Sequence, residues 1–194
     1  MCPRVNCAIR SSTSPAELRA AVAVNLELKA RTASSAGARE RALALGASPS
    51  GTLHQVDTYF VVPRGRLKLR EFEGGEAELI YYERSEETPE RWSRYTRERV
   101  GEPGAVRRVL TAAFGVQAVV RKRRDLYLWR DARIHVDDVE GLGTFLEFEV
   151  TGGETPASVA TMQELRAAFT VAPGDVVRCS YSDLIQAKRI SPDA

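Results

Sequence analysis

Arg66-Leu67-Lys68-Leu69-Arg70 carries a strict two-residue period. Every second residue is a cation and every residue between is leucine. A strand sends successive side chains to opposite faces, so the three cations share one face and both leucines the other. In isolation this is an amphipathic strand with a solvated charged side. The same alternation recurs along the chain, and that changes its meaning. Glu27 and Lys29 face away from Leu26 and Leu28, and Lys122 and Arg124 share one face of Val120–Arg124. Arg133, His135 and Asp137 fall together, and Leu146-Glu147-Phe148-Glu149-Val150 sets two carboxylates against three apolar residues.

If the apolar faces lie outward beneath helices, the charged faces point inward. Isolated buried charge costs several kcal/mol or more, so a basic interior needs an anion to fill it. Clustered Arg and Lys suit phosphate, Arg as a planar fork and Lys as a point charge. Inward carboxylates would repel that ligand unless a divalent cation bridges them, and Mg²⁺ held by carboxylates and phosphates is the usual arrangement.

Outward from these strands, the pattern predicts short alternating segments with a few helices between them. Strands are expected over Val24–Arg31, Leu53–Val62, Gly65–Phe72, Ala77–Arg84, Ser93–Val100, Val116–Arg123, Leu126–Arg130, Arg133–Val139 and Phe145–Thr151. Helices are expected over Ala36–Leu45, stopped by Gly46, and over Pro103–Phe114, ending at Gly115. A third follows the Thr155-Pro156 cap, with Val159, Met162, Leu165 and Phe169 on one stripe. A short fourth covers Ser182–Lys188. Ser85–Glu90 is polar and contains Pro89, which predicts an exposed loop. Evenly spaced strands with helices outside point to an antiparallel barrel or strongly curled sheet. Residues 1–21 read as an N-terminal extension, in which Ser14-Pro15-Ala16-Glu17 resembles a capping box.

Composition narrows the class. With 43% hydrophobic and 28% charged residues the chain is an ordinary globular protein. No apolar run nears the roughly 20 residues of a membrane helix, and the N-terminus is a poor secretion signal. Cys2, Cys7 and Cys179 show no metal-ligand spacing, so reduced thiols in a cytoplasm are the expectation. A net charge of +2 is too small to argue for nucleic acid. A monomer and a homodimer are both compatible.

Asn25-Leu26-Glu27-Leu28-Lys29 resembles the ExExK signature of the CYTH superfamily, the triphosphate tunnel metalloenzymes. The resemblance continues through Asp57-Thr58-Tyr59-Phe60, the Gly65–Arg70 segment, Lys122-x-Arg124-x-x-Tyr127, Arg133–Asp137, Gly141–Glu149 and Ser180-Tyr181-Ser182-Asp183-Leu184. It spans about residues 22 to 186. It implies an α+β domain over 22–194, built as a closed eight-stranded antiparallel tunnel with helices outside. It further implies a triphosphate-bearing small molecule as ligand and Mg²⁺ or Mn²⁺ as cofactor.

Carried over by motif, Glu27, Glu147 and Glu149 would hold metal, with Asp137 a further ligand. Lys29, Arg66, Lys68, Arg70, Arg84, Lys122 and Arg124 would contact phosphate, with Arg133 as a further candidate. Lys29, Arg66, Asp137 and Glu149 are the candidates for direct catalysis. Arg84 stands where many members have Lys. Asn25 replaces the first Glu of the signature, which puts a second metal in question. The Asn25 variant and the Gly-Leu-Gly-x-Phe block look closest to the class IV adenylyl cyclase-like branch. Three functions follow: triphosphate hydrolysis, cyclisation of ATP to cyclic AMP and pyrophosphate, or polyphosphate or nucleotide binding without turnover.

Other conspicuous residues have plainer expectations. His54 reads as a strand-end or surface residue rather than a base, and His135 as a hydrogen-bonded tunnel residue rather than a metal ligand. Trp129, Tyr81, Tyr82 and Tyr181 read as packing, the tyrosines with wet hydroxyls. Trp92 sits in a polar stretch and reads as part of a mobile lid. Glu86, Glu87 and Glu90 read as a solvated loop, and Arg107 and Arg108 as a helix surface.

Overall fold

The computed structural model describes residues 22–84 and 90–190. The extension at 1–21, its capping box, Cys2 and Cys7, and most of the 85–90 loop lie outside the described residues. Eight antiparallel strands close into a barrel in the order β1-β5-β4-β3-β2-β6-β7-β8. They are β1 (Ala23–Arg31), β2 (Ser48–Phe60), β3 (Arg66–Phe72), β4 (Ala77–Arg84), β5 (Arg91–Arg99), β6 (Val116–Trp129), β7 (Ala132–Val139) and β8 (Gly143–Val150). Four helices, α1 (Ser35–Ala44), α2 (Pro103–Phe114), α3 (Pro156–Ala168) and α4 (Tyr181–Ile190), lie outside the barrel. No helix among the described residues is long and apolar enough to cross a membrane.

The barrel is inverted relative to a usual small barrel, with its apolar core on the outside. Leu26, Leu28, Ile134, Phe148 and Val150 of β1, β7 and β8 pack outward against Met162 and Leu165 of α3 and Ala38 and Ala42 of α1. Phe60 and Leu69 of β2 and β3 are covered by Val106 and Leu110 of α2. Burying each such side chain contributes about 1.5–3 kcal/mol, so the helices are required to hold the charged faces inward. Local signals set their ends. Ser34 Oγ accepts from the Gly37 amide at 3.1 Å to start α1, and Thr155 Oγ1 accepts from the Ser158 amide at 3.2 Å to start α3.

Three expectations need correction. The two segments Val116–Arg123 and Leu126–Arg130 form one continuous strand, β6, so nine expected segments become eight strands. The charged Arg123-Arg124-Asp125 does not break it. Arg124 faces inward, while Asp125 on the outer face is held by Arg39 at 2.6 Å and Thr52 at 2.7 Å. Strand β2 begins at Ser48 rather than Leu53, because a bulge at Gly51 (φ 117°) lets Ser48 and Pro49 pair with Leu128 and Tyr127. Val159 of α3 is exposed at 41%, and Ser158, Thr161, Met162 and Leu165 form the buried face instead.

Trp92 also departs from its expected role. It is partly buried and packs against the core under β1 and α3, so it is no lid. Gly65, before β3, adopts φ 61° with the Tyr81 hydroxyl 2.6 Å from where a Cβ would stand. A side chain there is strained by the positive φ and must displace Tyr81.

Candidate active site

The interior is built in layers of facing charges. In the β1–β8 ladder Glu27 stands opposite Glu149 and Lys29 opposite Glu147, which brings three carboxylates and one ammonium onto two adjacent strands. Lys29 Nζ lies 3.3 Å from Glu147 Oε1, 3.3 Å from the Cys179 carbonyl and 3.7 Å above the Tyr181 ring. Arg84 Nη1 of β4 reaches Glu27 Oε2 at 3.3 Å, and Arg133 Nε of β7 reaches Glu149 Oε2 at 3.0 Å. Arg124 Nη2 pairs with Glu147 Oε2.

Two further carboxylates fix the remaining cations. Asp137, wholly buried, accepts from Arg124 Nε at 2.6 Å, Lys122 Nζ at 3.0 Å and the Tyr181 hydroxyl at 3.0 Å. Asp57, 1% exposed, accepts from Arg70 Nε at 2.7 Å and Lys68 Nζ at 2.9 Å. A capping box places Tyr181: Ser180 Oγ accepts from the Asp183 amide at 3.2 Å and the Asp183 carboxylate accepts from the Ser180 amide at 2.9 Å. Its hydroxyl is therefore buried and bonded rather than wet.

These groups surround a cavity of about 130 Å³. Lys29, Lys68, Arg70, Arg84, Lys122, Arg124 and Arg133 all line it, as do Glu27, Glu147 and Glu149. Two expected site residues do not. Asp137 stands behind Lys122 and Arg124, with both oxygens engaged. Arg66 is turned to Asp183 of α4, 2.7 Å away. Asp57 and Tyr59 carry no assigned role in the sequence, and Tyr82, expected as packing, lines the cavity with Tyr59; parity with Tyr59 places Asp57 inside, but a single carboxylate between Val56 and Thr58 gives no sign of its two cations. Arg91, 1% exposed and opposite Glu27, is a further buried cation that the segment before it obscured.

Burial and neighbouring charge set the protonation of the site. Burial, opposed by Glu147 but reinforced by Arg84 and Arg91, lowers Lys29 to about 8. Burial and then Arg124 lower Lys122 to about 8. Burial alone would raise Asp137, but Arg124 and Lys122 bring it down to about 2. Glu147 is likewise held well below the usual carboxylate range, against burial, by Lys29 and Arg124. Glu27 moves the other way: burial and then Glu149 raise it. Like charges opposite each other across strands are destabilising, so the Glu27–Glu149 pair gains from a cation between them.

Among the described residues no three acidic, imidazole or thiol groups stand already converged at ligand spacing, since cations hold the carboxylates. The donor set nevertheless fits a hard divalent ion: three carboxylates on neighbouring strands, one of them, Glu27, pushed toward neutrality by burial and then by Glu149. Asn25 contributes no free donor. With its amide oriented to satisfy both sides, its oxygen accepts from Arg133 Nη2 at 3.1 Å and its nitrogen donates to the Val24 carbonyl at 3.1 Å.

Relatives share this architecture. The PH1012 protein of Pyrococcus horikoshii OT3 superposes with a TM-score of 0.75 at 26% identity, over 82% of this chain and 98% of that one. A Hippeastrum protein provisionally named an adenylyl cyclase, and described as having a dominant triphosphatase activity, superposes with a TM-score of 0.64 at 14% identity, over 85% of this chain and 95% of that one. A stretch of 68 residues, 34% of this chain, is 35% identical to a Methanocaldococcus jannaschii protein provisionally named an adenylate cyclase, and spans 39% of that protein. The profile of the CYTH domain matches residues 23–174, from the first strand to beyond α3, and the chain belongs to the CYTH domain family.

Proposed function

We propose that this protein is a divalent-metal-dependent triphosphatase that binds its substrate's phosphate chain inside the barrel. The observation that carries the proposal is the charge balance of the barrel's interior cavity of about 130 Å³. Of the described side chains lining it, eight are Arg or Lys and four are Glu, and Asp57 and Asp137 stand behind them. Two positive charges are left over. A triphosphate carries about −4, with about −2 of that on its terminal phosphoryl. One divalent ion offsets half of it, and the protein's excess cancels the remainder.

Glu27, Glu147 and Glu149 would hold Mg²⁺ or Mn²⁺. When bound, such an ion supplies charge neutralisation and polarisation of the reacting phosphoryl group. The chain's own residues do the rest. Asp57 fixes Lys68 and Arg70, and Asp137 fixes Lys122 and Arg124, so four cations are oriented before any substrate arrives. Preorganised donors of this kind cost little reorganisation during reaction. Lys29 on β1 approaches from across the barrel, Arg84 stands on β4 beside β3, and Arg133 with Asn25 lines the wall beyond Glu149.

A second reading, ATP cyclisation, is favoured by the 68-residue likeness to a relative named as an adenylate cyclase. It needs the ribose to share the cavity, so that the 3′-oxygen reaches the α-phosphorus. Product analysis separates the readings. Orthophosphate from tripolyphosphate, with no cyclic AMP from ATP, under Mg²⁺ or Mn²⁺, supports the triphosphatase. Cyclic AMP with pyrophosphate replaces it by the cyclase. Tight binding with neither product rejects both in favour of a binding module.

A further inference from the structure

One group inside the carboxylate cluster has no role in the proposed chemistry. His135 of β7 lies opposite Glu147 in the β7–β8 ladder and is 4% exposed. Its Nδ1 is 3.8 Å from Glu149 Oε1 and 4.0 Å from Glu147 Oε2, and it has no hydrogen-bond partner. Both distances exceed a hydrogen bond. Leaving a buried polar atom unsatisfied costs about 1–3 kcal/mol, yet the fold holds the ring there firmly. Ile134 and Val136 on either side are buried in the outer core at 0% and 1% exposure.

The neighbouring oxygens are divided in a telling way. Glu149 gives Oε2 to Arg133, which leaves Oε1 on the side of His135. Two atoms bound to one ion at about 2.1 Å each can stand at most about 4.2 Å apart. Nδ1 is within that limit of an oxygen on each glutamate. Asn25, which stands where the signature has its first Glu, has its oxygen taken by Arg133. A donor is missing on one side of the cluster and an orphaned one is present on the other.

We propose that His135 Nδ1 is a ligand of the divalent ion held by the carboxylate cluster, making a mixed nitrogen–oxygen site that favours Mn²⁺ over Mg²⁺. This rests on the reading that Glu27, Glu147 and Glu149 hold a metal. Mg²⁺ keeps to oxygen donors, whereas an imidazole adds affinity for first-row transition ions. The glutamate side chains must turn from their cations to converge on the ion, while the imidazole is already in place.

The test is Mn²⁺ binding to the full chain, followed by pulsed electron paramagnetic resonance and calorimetry without substrate. Wild-type protein should show the nitrogen modulation of a coordinated imidazole, and His135→Gln should lose it. Mn²⁺ affinity should fall about tenfold or more in the variant, while Mg²⁺ affinity changes by less than about threefold. Bound Mn²⁺ without nitrogen modulation, or modulation that survives in His135→Gln, overturns the role of His135 and leaves the carboxylate site standing. Absence of stoichiometric Mn²⁺ binding overturns the carboxylate site and the histidine together. The wild-type spectrum decides the matter even if the variant does not fold.

Discussion

Replacing Asp57 with Asn tests whether the interior cations are held ready for an anion. Asp57 is 1% exposed and is the shared counter-ion of Lys68 and Arg70, at 2.9 and 2.7 Å. The substitution keeps shape but leaves two cations facing each other without a carboxylate between them. Removing one partner of a buried ion pair costs about 3–5 kcal/mol. The side chains of Lys68 and Arg70 keep 11% and 14% exposure toward the cavity, which screens part of the repulsion, so about 3 kcal/mol is the better figure. For a chain of this size that lowers the melting temperature by about 6–12 °C. Tripolyphosphate should then stabilise Asp57→Asn more than wild type, because its oxygens supply the missing negative charge. The assay is thermal or urea unfolding with and without tripolyphosphate. Against burial, Arg70 and Lys68 hold Asp57 well below the usual carboxylate range. Its contribution is therefore complete above the unfolded value of about 3.9 and is lost as pH falls through the folded one. The gap between the two proteins should persist from pH 8 down to about 5 and narrow only below about 4. A loss under about 1 kcal/mol, with equal ligand shifts in both proteins, would refute the reasoning.

Three further outcomes follow from the same geometry. Glu149→Gln should lower kcat for triphosphate at least about 100-fold while circular dichroism stays native, since it removes a charge but little volume; metal-dependent turnover near wild type would remove Glu149 from the metal site. Lys68→Ala takes away a charge-assisted contact of about 1.5–3 kcal/mol and should raise KM about tenfold or more; an unchanged KM would place the phosphate chain elsewhere. Gly65→Ala forces a Cβ to within 2.6 Å of the Tyr81 hydroxyl at φ 61° and should cost about 1–3 kcal/mol in urea unfolding; a cost below about 0.5 kcal/mol would show that Tyr81 simply swings aside.

Much of the barrel was legible because its signal is local. Alternation in Arg66–Arg70 and Leu146–Val150 assigns each side chain to a face, and the structure keeps every one of those assignments. What alternation cannot convey is which distant charge meets which. Arg66 has the parity of Lys68 and Arg70 but is turned to Asp183, a residue 117 positions away whose place depends on how α4 docks. Asp137 has the parity of a metal ligand, yet Arg124, Lys122 and Tyr181 take up its oxygens. The charged run Arg121–Asp125 looks like a loop in the sequence and splits β6 into two expected segments. In a barrel with a charged interior and an outer face covered by Arg39 and Thr52, both sides of a strand can be polar and that signal loses its force. The misreadings thus share one cause with the fold itself. Once the apolar surface lies outside, polar residues stop marking solvent, and Asp57 and Asp137 become interior counter-ions whose partners only the closed barrel brings together, while His135 Nδ1 is buried beside carboxylates without one.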